Sequence, residues 1–299
     1  MGPERALQRL GGVASSTSLL RLTSRGRLRL AVSRELVRRD GRGSYSLAGV
    51  DEALRVAQRL SGVLVQDSAA PFHSRAMKHR PASPCVGVPR SRKVAPERRR
   101  CRRLQFLELD PSDVSGLATV PGATVMGCAA RMPFDEALAD TDSALRHLDV
   151  TKEELVRRAE SMPDRYRTRC RRVAQHADGR AENPFESVLR AVAIEVPGLH
   201  VEPQVWADDV GRPDLLDRRL GLVIEADSFE FHGRRQALRK DCERYNAFVV
   251  GGHLVVRFAW EHVMFEPAYV RRVLVAMVDL FSARPLGRAL EADALARSA

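Results

Sequence analysis

The stretch RPDLLDRRLGLVIEAD, residues 212–227, decides how the C-terminal third of this chain is read. Its apolar runs are short enough for strands, and the Asp217-Arg218 pair between them marks a turn, so the two arms form an antiparallel hairpin. Asp214 and Glu225 lie eleven residues apart on those arms, and a short hairpin brings both to one end and one face of the sheet. A carboxylate closing the run Leu222-Val223-Ile224-Glu225 needs a partner or a metal, because a charge at the end of a buried strand is costly alone. Paired carboxylates are oxygen ligands for a hard cation, Mg2+ or Mn2+, which would activate water and neutralise charge developing on a phosphate.

The neighbouring segments extend the pattern in both directions. Asn183-Pro184-Phe185-Glu186 starts a helix, with Asn183 as N-cap and Pro184 at the first helical position, and the helix runs to Pro197-Gly198. Glu186 stands three residues behind the cap, so it either closes a capping box or supplies a further carboxylate to the site. A strand over 199–205 precedes the hairpin. A long helix over 234–249, a strand over 254–258 and a helix over 267–281 follow it. The order is αβββαβα over residues 181–284, with 285–299 as a tail. Asp241 and Arg244 stand one helical turn apart and are expected to pair, with Arg244 able to reach toward the acidic cluster. Phe258 and Trp260 are expected in the core, and Tyr245 has no assigned role.

At the other end, residues 1–60 read as a winged helix-turn-helix. Helices are expected over 3–10, from Ser15 or Ser16 to Leu22, and from Thr23 or Ser24 to Glu35, followed by a hairpin over 36–47 with its turn at Asp40-Gly41. In such a fold the third helix enters the major groove; here it offers Arg25, Arg27, Arg29 and Arg34, with Arg38, Arg39 and Arg42 on the wing for phosphates. The alternative is a helical hairpin whose arginines only face solvent. Charge favours the first reading. Residues 1–100 carry 21 Lys+Arg against 7 Asp+Glu, a net +14, whereas 101–299 carry 28 against 31, a net −3.

Residues 61–180 form a mixed connecting region. A helix over 51–60 precedes it, and within it a strand is expected over 104–109, a helix or strand over 121–131 with Cys128 buried, and helices over 134–148, 152–161 and 165–177. Thr151 and Glu154 make a capping box for the second of these. The arginine-rich segment 91–103, which includes Arg98-Arg99-Arg100, is either a solvated loop or a second strip of phosphate contacts.

Arg212-Pro213-Asp214, the run 222–227, His232, Arg239 to Arg244 and Val255-Val256-Arg257-Phe258 together resemble the very-short-patch-repair-like endonuclease domains, a branch of the PD-(D/E)XK nuclease fold. The resemblance covers about the last 115 residues. It implies metal-dependent cleavage of DNA, with Asp214, Glu225 and Asp227 as metal ligands, His232 as general acid or base, and Glu186 as the supporting helix carboxylate. Asp227 falls where the nuclease motif has lysine, and an aspartate there adds a ligand or accepts a proton instead. Arg239 and Lys240 are candidate phosphate contacts. The N-terminal part resembles the winged-helix segment of AbiEi-type antitoxin proteins, which implies a partner protein of a toxin–antitoxin or defence system. It also implies a rival function, a transcriptional regulator whose nuclease fold is inactive.

Composition narrows the classes further. The chain is 44% hydrophobic and 29% charged, with no apolar run long enough to cross a membrane, so an α/β (α+β) protein of the cytoplasm is expected. The five cysteines are widely spaced, odd in number and lack a C-x-x-C pair, which argues against a disulfide framework or structural zinc.

Overall fold

A computed structural model describes residues 1–96, 103–227 and 235–282 of the chain. It is an α/β protein that divides into two compact units, Met1–Ala177 and Asp178–Ala299. His232, Arg98-Arg99-Arg100 and the tail 285–299 lie outside the described residues.

The first unit begins with α1 (Pro3–Arg9), β1 (Val13–Ser15), α2 (Ser16–Leu20), α3 (Arg25–Ser33), β2 (Arg38–Gly41) and β3 (Ser44–Ser46). The Ser15 and Ser24 side chains accept from the Ser18 and Arg27 N–H groups, which fixes the starts of α2 and α3. Leu7, Leu19, Leu28, Ala31 and Val37 close a small core. Two details differ from expectation. β1 adds a third strand, giving the order β1-β3-β2, and the hairpin turns at Arg42-Gly43 rather than at Asp40-Gly41. Gly43 takes φ 75°, a conformation that a residue without Cβ adopts at no steric cost.

α4 (Glu52–Leu60) is capped by Asp51 and lies against β1, β3 and the first strands of a second sheet. That sheet contains β4 (Val63–Leu64), β5 (Cys85–Val88), β6 (Arg103–Phe106), β7 (Val114–Ser115) and β8 (Ala118–Thr119), in the order β6-β5-β4-β8-β7. Helices α5 (Pro121–Arg131), α6 (Phe134–Arg146), α7 (Lys152–Glu160) and α8 (Asp164–His176) share a core built on Val125, Leu155, Cys170 and Val173. Thr151 caps α7 through the Glu154 N–H. Burial pushes the thiols of Cys85 and Cys170 up to about 11, so both are held as inert thiols in packed surroundings.

In the second unit, α9 (Pro184–Ile194) precedes β9 (Glu202–Pro203), β10 (Leu215–Asp217) and β11 (Leu222–Asp227). Then come α10 (Arg235–Val250), β12 (Leu254–Ala259), α11 (Trp260–Phe265) and α12 (Pro267–Ser282). The sheet order is β12-β11-β10-β9, with β9, β10 and β11 antiparallel and β12 parallel to β11. The order αβββαβα is thus extended by one short helix, α11. Phe258 is buried, but Trp260 at the head of α11 is partly exposed and stacks edge-on against Phe265 instead of entering the core. One face of the sheet, carrying Leu216 and Val223, packs on Tyr245 and Phe248 of α10.

Inside the first unit, Arg75 and Asp140 form an ion pair at 3.4 Å with both side chains wholly buried. Burial raises the Asp140 carboxyl above its ordinary value, and Arg75 pulls against that rise. Asp140→Ala would leave an uncompensated guanidinium in the interior. We expect it to cost about 3–5 kcal/mol in chemical denaturation, and the double variant Arg75→Met/Asp140→Leu to recover most of that loss.

Candidate functional site

The β10–β11 register pairs Leu215 with Ile224, and one further step places Asp214 opposite Glu225. Because strand side chains alternate, Asp214 and Leu216 share a face with Val223, Glu225 and Asp227, the face that α10 covers. Apolar residues fill the middle of that face and carboxylates collect at its end. Asp214 itself lies just before β10, so the first arm of the hairpin becomes a strand only at Leu215. Pro213 can donate no ladder hydrogen bond, which accounts for the late start.

Each carboxylate has a distinct set of partners. Asp214 Oδ2 accepts from the Ala226 N–H at 2.7 Å, and Oδ1 accepts from Gln204 Nε2 at 3.2 Å. The same amide nitrogen donates to Glu186 Oε2 at 3.2 Å, so Gln204 bridges the two acids. Glu186 also accepts from the Glu182 N–H and the Asn183 side-chain amide, both at 2.7 Å, while Asn183 Oδ1 accepts from the Glu186 N–H. Glu186 thus helps to close the head of α9 and shares the Gln204 amide with Asp214. Glu225 is only 2% exposed; Arg244 Nη2 donates to its Oε2 at 3.1 Å, and its Oε1 has no hydrogen-bond partner among the described residues.

Burial first, and the neighbouring Asp214 second, push Glu186 up to about 7 and Glu225 up to about 8. Burial raises Asp214 as well, against the pull of the Ala226 N–H and of Arg244. Asp227 raises both Asp214 and Glu225 through its charge and has partners of its own. Its Oδ1 accepts from the Tyr245 hydroxyl at 3.0 Å and its Oδ2 from Arg257 Nε at 2.6 Å, with the Arg257 guanidinium 3.8 Å over the Tyr245 ring. Among the described residues no three His, Cys, Asp or Glu side chains are placed to share one metal ion. Of the three expected ligands, Asp227 is engaged by Arg257 and Tyr245. The unpartnered Glu225 Oε1 beside Asp214 fits a hard cation bound by two carboxylates and water.

The remaining predicted residues fall elsewhere. Arg239 pairs with Glu243 at 2.8 Å on the exposed side of α10, and Lys240 is exposed. Asp217, read as a turn residue, is fully buried at the end of β10, where it accepts from the His200 and Leu220 N–H groups. Gln204, Tyr245 and Arg257 had no role in the sequence reading. Gln204 adopts φ 53°, uncommon for a residue with a Cβ, and its own N–H also donates to the Asp214 carbonyl.

In the first unit, Arg25, Arg27, Arg29, Arg34, Arg38, Arg39 and Arg42 are all exposed. Arg25, Arg29 and Arg39 line one groove of about 500 Å3 with Ser16, Ser33 and Tyr45. Arg38 and Arg55 both lie 3.5 Å from Asp40, which offsets part of the charge on the wing.

No family model matches the chain. Over 172 residues it is 30% identical to the uncharacterized proteins MT2308 and Rv2248 of two Mycobacterium tuberculosis strains. The alignment covers 56% of this chain and 64% of each relative, so the chain spans less than two thirds of their length. It is also similar to the crystal structure of the RV2827C protein from Mycobacterium tuberculosis, with a TM-score of 0.36 and 14% identity over 67% of this chain and 82% of that one. No helix among the described residues is long and apolar enough to cross a membrane.

The raised carboxyls have a sign in stability. Glu225 keeps its proton in the folded chain to about pH 8, whereas the unfolded chain releases it near 4.5. The contribution is therefore whole below about pH 4.5 and is lost as pH climbs to about 8. Glu186 acts in the same direction, up to about 7. Without divalent cations, unfolding free energy should fall between pH 5 and 8, and Glu225→Gln should flatten that fall by ~1 kcal/mol or more, measured by urea denaturation at both pH values.

Proposed function

We propose that the chain is a metal-dependent DNA endonuclease of the PD-(D/E)XK type, acting in the cytoplasm, whose basic N-terminal winged helix brings the C-terminal site to DNA. The observation that carries this reading is the neighbouring pair Asp214 and Glu225, with Glu225 buried and its Oε1 without a hydrogen-bond partner among the described residues. Asp214 and Glu225 would hold Mg2+ or Mn2+. The chemistry such an ion supplies when bound is activation of water and neutralisation of charge on the scissile phosphate. Gln204 and the Ala226 N–H fix the Asp214 carboxylate, and Glu186 anchors Gln204 from the head of α9. The assignment of His232 as general acid or base rests on its place in the sequence alone.

Arg25, Arg29 and Arg39 support the nucleic-acid reading, since three guanidinium groups on one groove suit the phosphates of a duplex backbone. A second reading has its own observation. Asp227 replaces the motif lysine and is engaged by Arg257 and Tyr245, which favours an AbiEi-type DNA-binding regulator, working with a partner protein of a toxin–antitoxin or defence system.

The two readings part in one assay. Plasmid and short duplex DNA are incubated with Mg2+, with Mn2+ and with chelator. The nuclease reading expects metal-dependent cutting that Asp214→Ala and Glu225→Ala each reduce at least ~100-fold. Binding without cutting by the wild type, unchanged in both variants, would favour the regulator. In a separate salt titration, Arg25→Ala/Arg29→Ala/Arg39→Ala should lower the log–log slope of DNA affinity against salt by about 2–3. An unchanged slope would remove the groove from the DNA surface.

A further inference from the structure

α3 carries an apolar side chain in the middle of a basic surface. Leu28 and Ala31 face the core, and at 3.6 residues per turn Gly26, Leu30 and Ser33 fall on the opposite side of the helix, all three exposed. Arg25 and Arg29 stand on one flank of that line, toward the wing groove, and Arg27 and Arg34 stand on the other. Leu30 is 50% exposed and takes no part in the small core. Ser33 Oγ donates to the Leu30 carbonyl at 2.9 Å, so its proton is used within the helix and its lone pairs remain as acceptors. A Cβ on Gly26 would meet nothing within 4 Å, and its φ is not positive. Neither packing nor backbone conformation in this chain therefore calls for glycine, a weaker helix former than alanine. Guanidinium groups on both flanks of a neutral line match a DNA major groove, where phosphates bound both sides and base edges form the floor.

Resting on the DNA-binding part of the reading above, we propose that Gly26, Leu30 and Ser33 are the specificity-determining residues of the chain and that its preferred duplex sets a thymine against Leu30. The C5-methyl of thymine is the apolar group that a major groove offers, and Leu30 is the apolar side chain on the exposed side of α3. Ser33, left as an acceptor, suits the amino group of adenine or cytosine. Gly26 lets the first turn of the helix come down onto the duplex where a side chain would collide. The arginines on either flank fix orientation and add affinity that is indifferent to sequence.

The test selects duplexes from a randomised library with the full chain, then measures affinity for the selected sequence without divalent cations. That sequence should contain a thymine whose replacement by deoxyuridine, which removes only the methyl group, weakens wild-type binding ~3–5-fold. Leu30→Ala should weaken binding to the thymine duplex by at least as much, bind the thymine and deoxyuridine duplexes alike, and keep the wild-type dependence on salt. Gly26→Leu should hold the wild-type melting midpoint, since its side chain enters open space, and lower duplex affinity at least ~10-fold. A Leu30→Ala chain that still tells thymine from deoxyuridine overturns the proposal, as does a Gly26→Leu chain that binds like wild type. A wild type that binds duplex with a steep salt dependence but selects no sequence also overturns it; the DNA reading then stands and α3 contributes charge only. A wild type that binds no duplex overturns the DNA reading and the proposal together.

Discussion

Two carboxylates facing each other across neighbouring strands are the constraint around which the C-terminal unit is arranged. Asp214 and Glu225 stand in register at the end of a face whose middle is filled by Leu216, Val223 and Phe248. Like charges so placed repel in a medium that screens poorly, and burial penalises each of them again. What surrounds them answers that cost in pieces: a main-chain N–H from Ala226, an amide from Gln204 and a guanidinium from Arg244. Gln204 takes a left-handed backbone conformation in doing so, a strain of roughly 1–2 kcal/mol per residue that only a well-packed site sustains. An interior built for stability alone would place apolar residues at 214 and 225.

The N-terminal unit treats charge in the opposite way. Leu28 and Ala31 of α3 turn inward while Arg25, Arg27, Arg29 and Arg34 of the same segment stay in solvent, where a guanidinium costs nothing to keep. Such a face adds little to folding, and on the function proposed above it would act in association with a polyanion. Asp40 moderates the wing by sitting between Arg38 and Arg55, leaving the groove of Arg25, Arg29 and Arg39 as the denser concentration of charge.

Much of this could be read in the sequence where local rules act alone. Ser15, Ser24, Thr151 and Asn183 cap the helices they were expected to cap, because a cap is decided by a few adjacent residues. The antiparallel pairing of the two arms that carry Asp214 and Glu225 was legible from hairpin spacing, another short-range rule. The five-stranded sheet was not foreseen: its strands are two to four residues long and too short to show alternation, and β5 is buried throughout. Gln204, Tyr245 and Arg257 escaped for a different reason. Their roles arise where the residue after β9, α10 and β12 each meet carboxylates at the end of β10 and β11, and nothing in the local sequence of each announces that meeting. Asp227 shows the same limit from the other side, since its place in the run 222–227 suggests a ligand and its neighbours across the fold make it half of an ion pair.

The charge balance of the site then becomes the deciding quantity. Glu186, Asp214, Glu225 and Asp227 bring four carboxylates, against which the described residues set Arg244 and Arg257. Fully ionised, the cluster would hold two negative charges in excess, and the raised values of Glu186 and Glu225 are the protein's answer in the absence of a counter-ion: it takes up protons. A divalent cation held by Asp214 and Glu225, as proposed above, would supply the same two charges without occupying either carboxylate with hydrogen. On the function proposed above, proton and metal would be alternatives at this site, the binding of one releasing the other. Arg257 makes that exchange local, because by cancelling Asp227 it confines the unbalanced charge to the end of the sheet where Glu225 keeps an oxygen unpartnered.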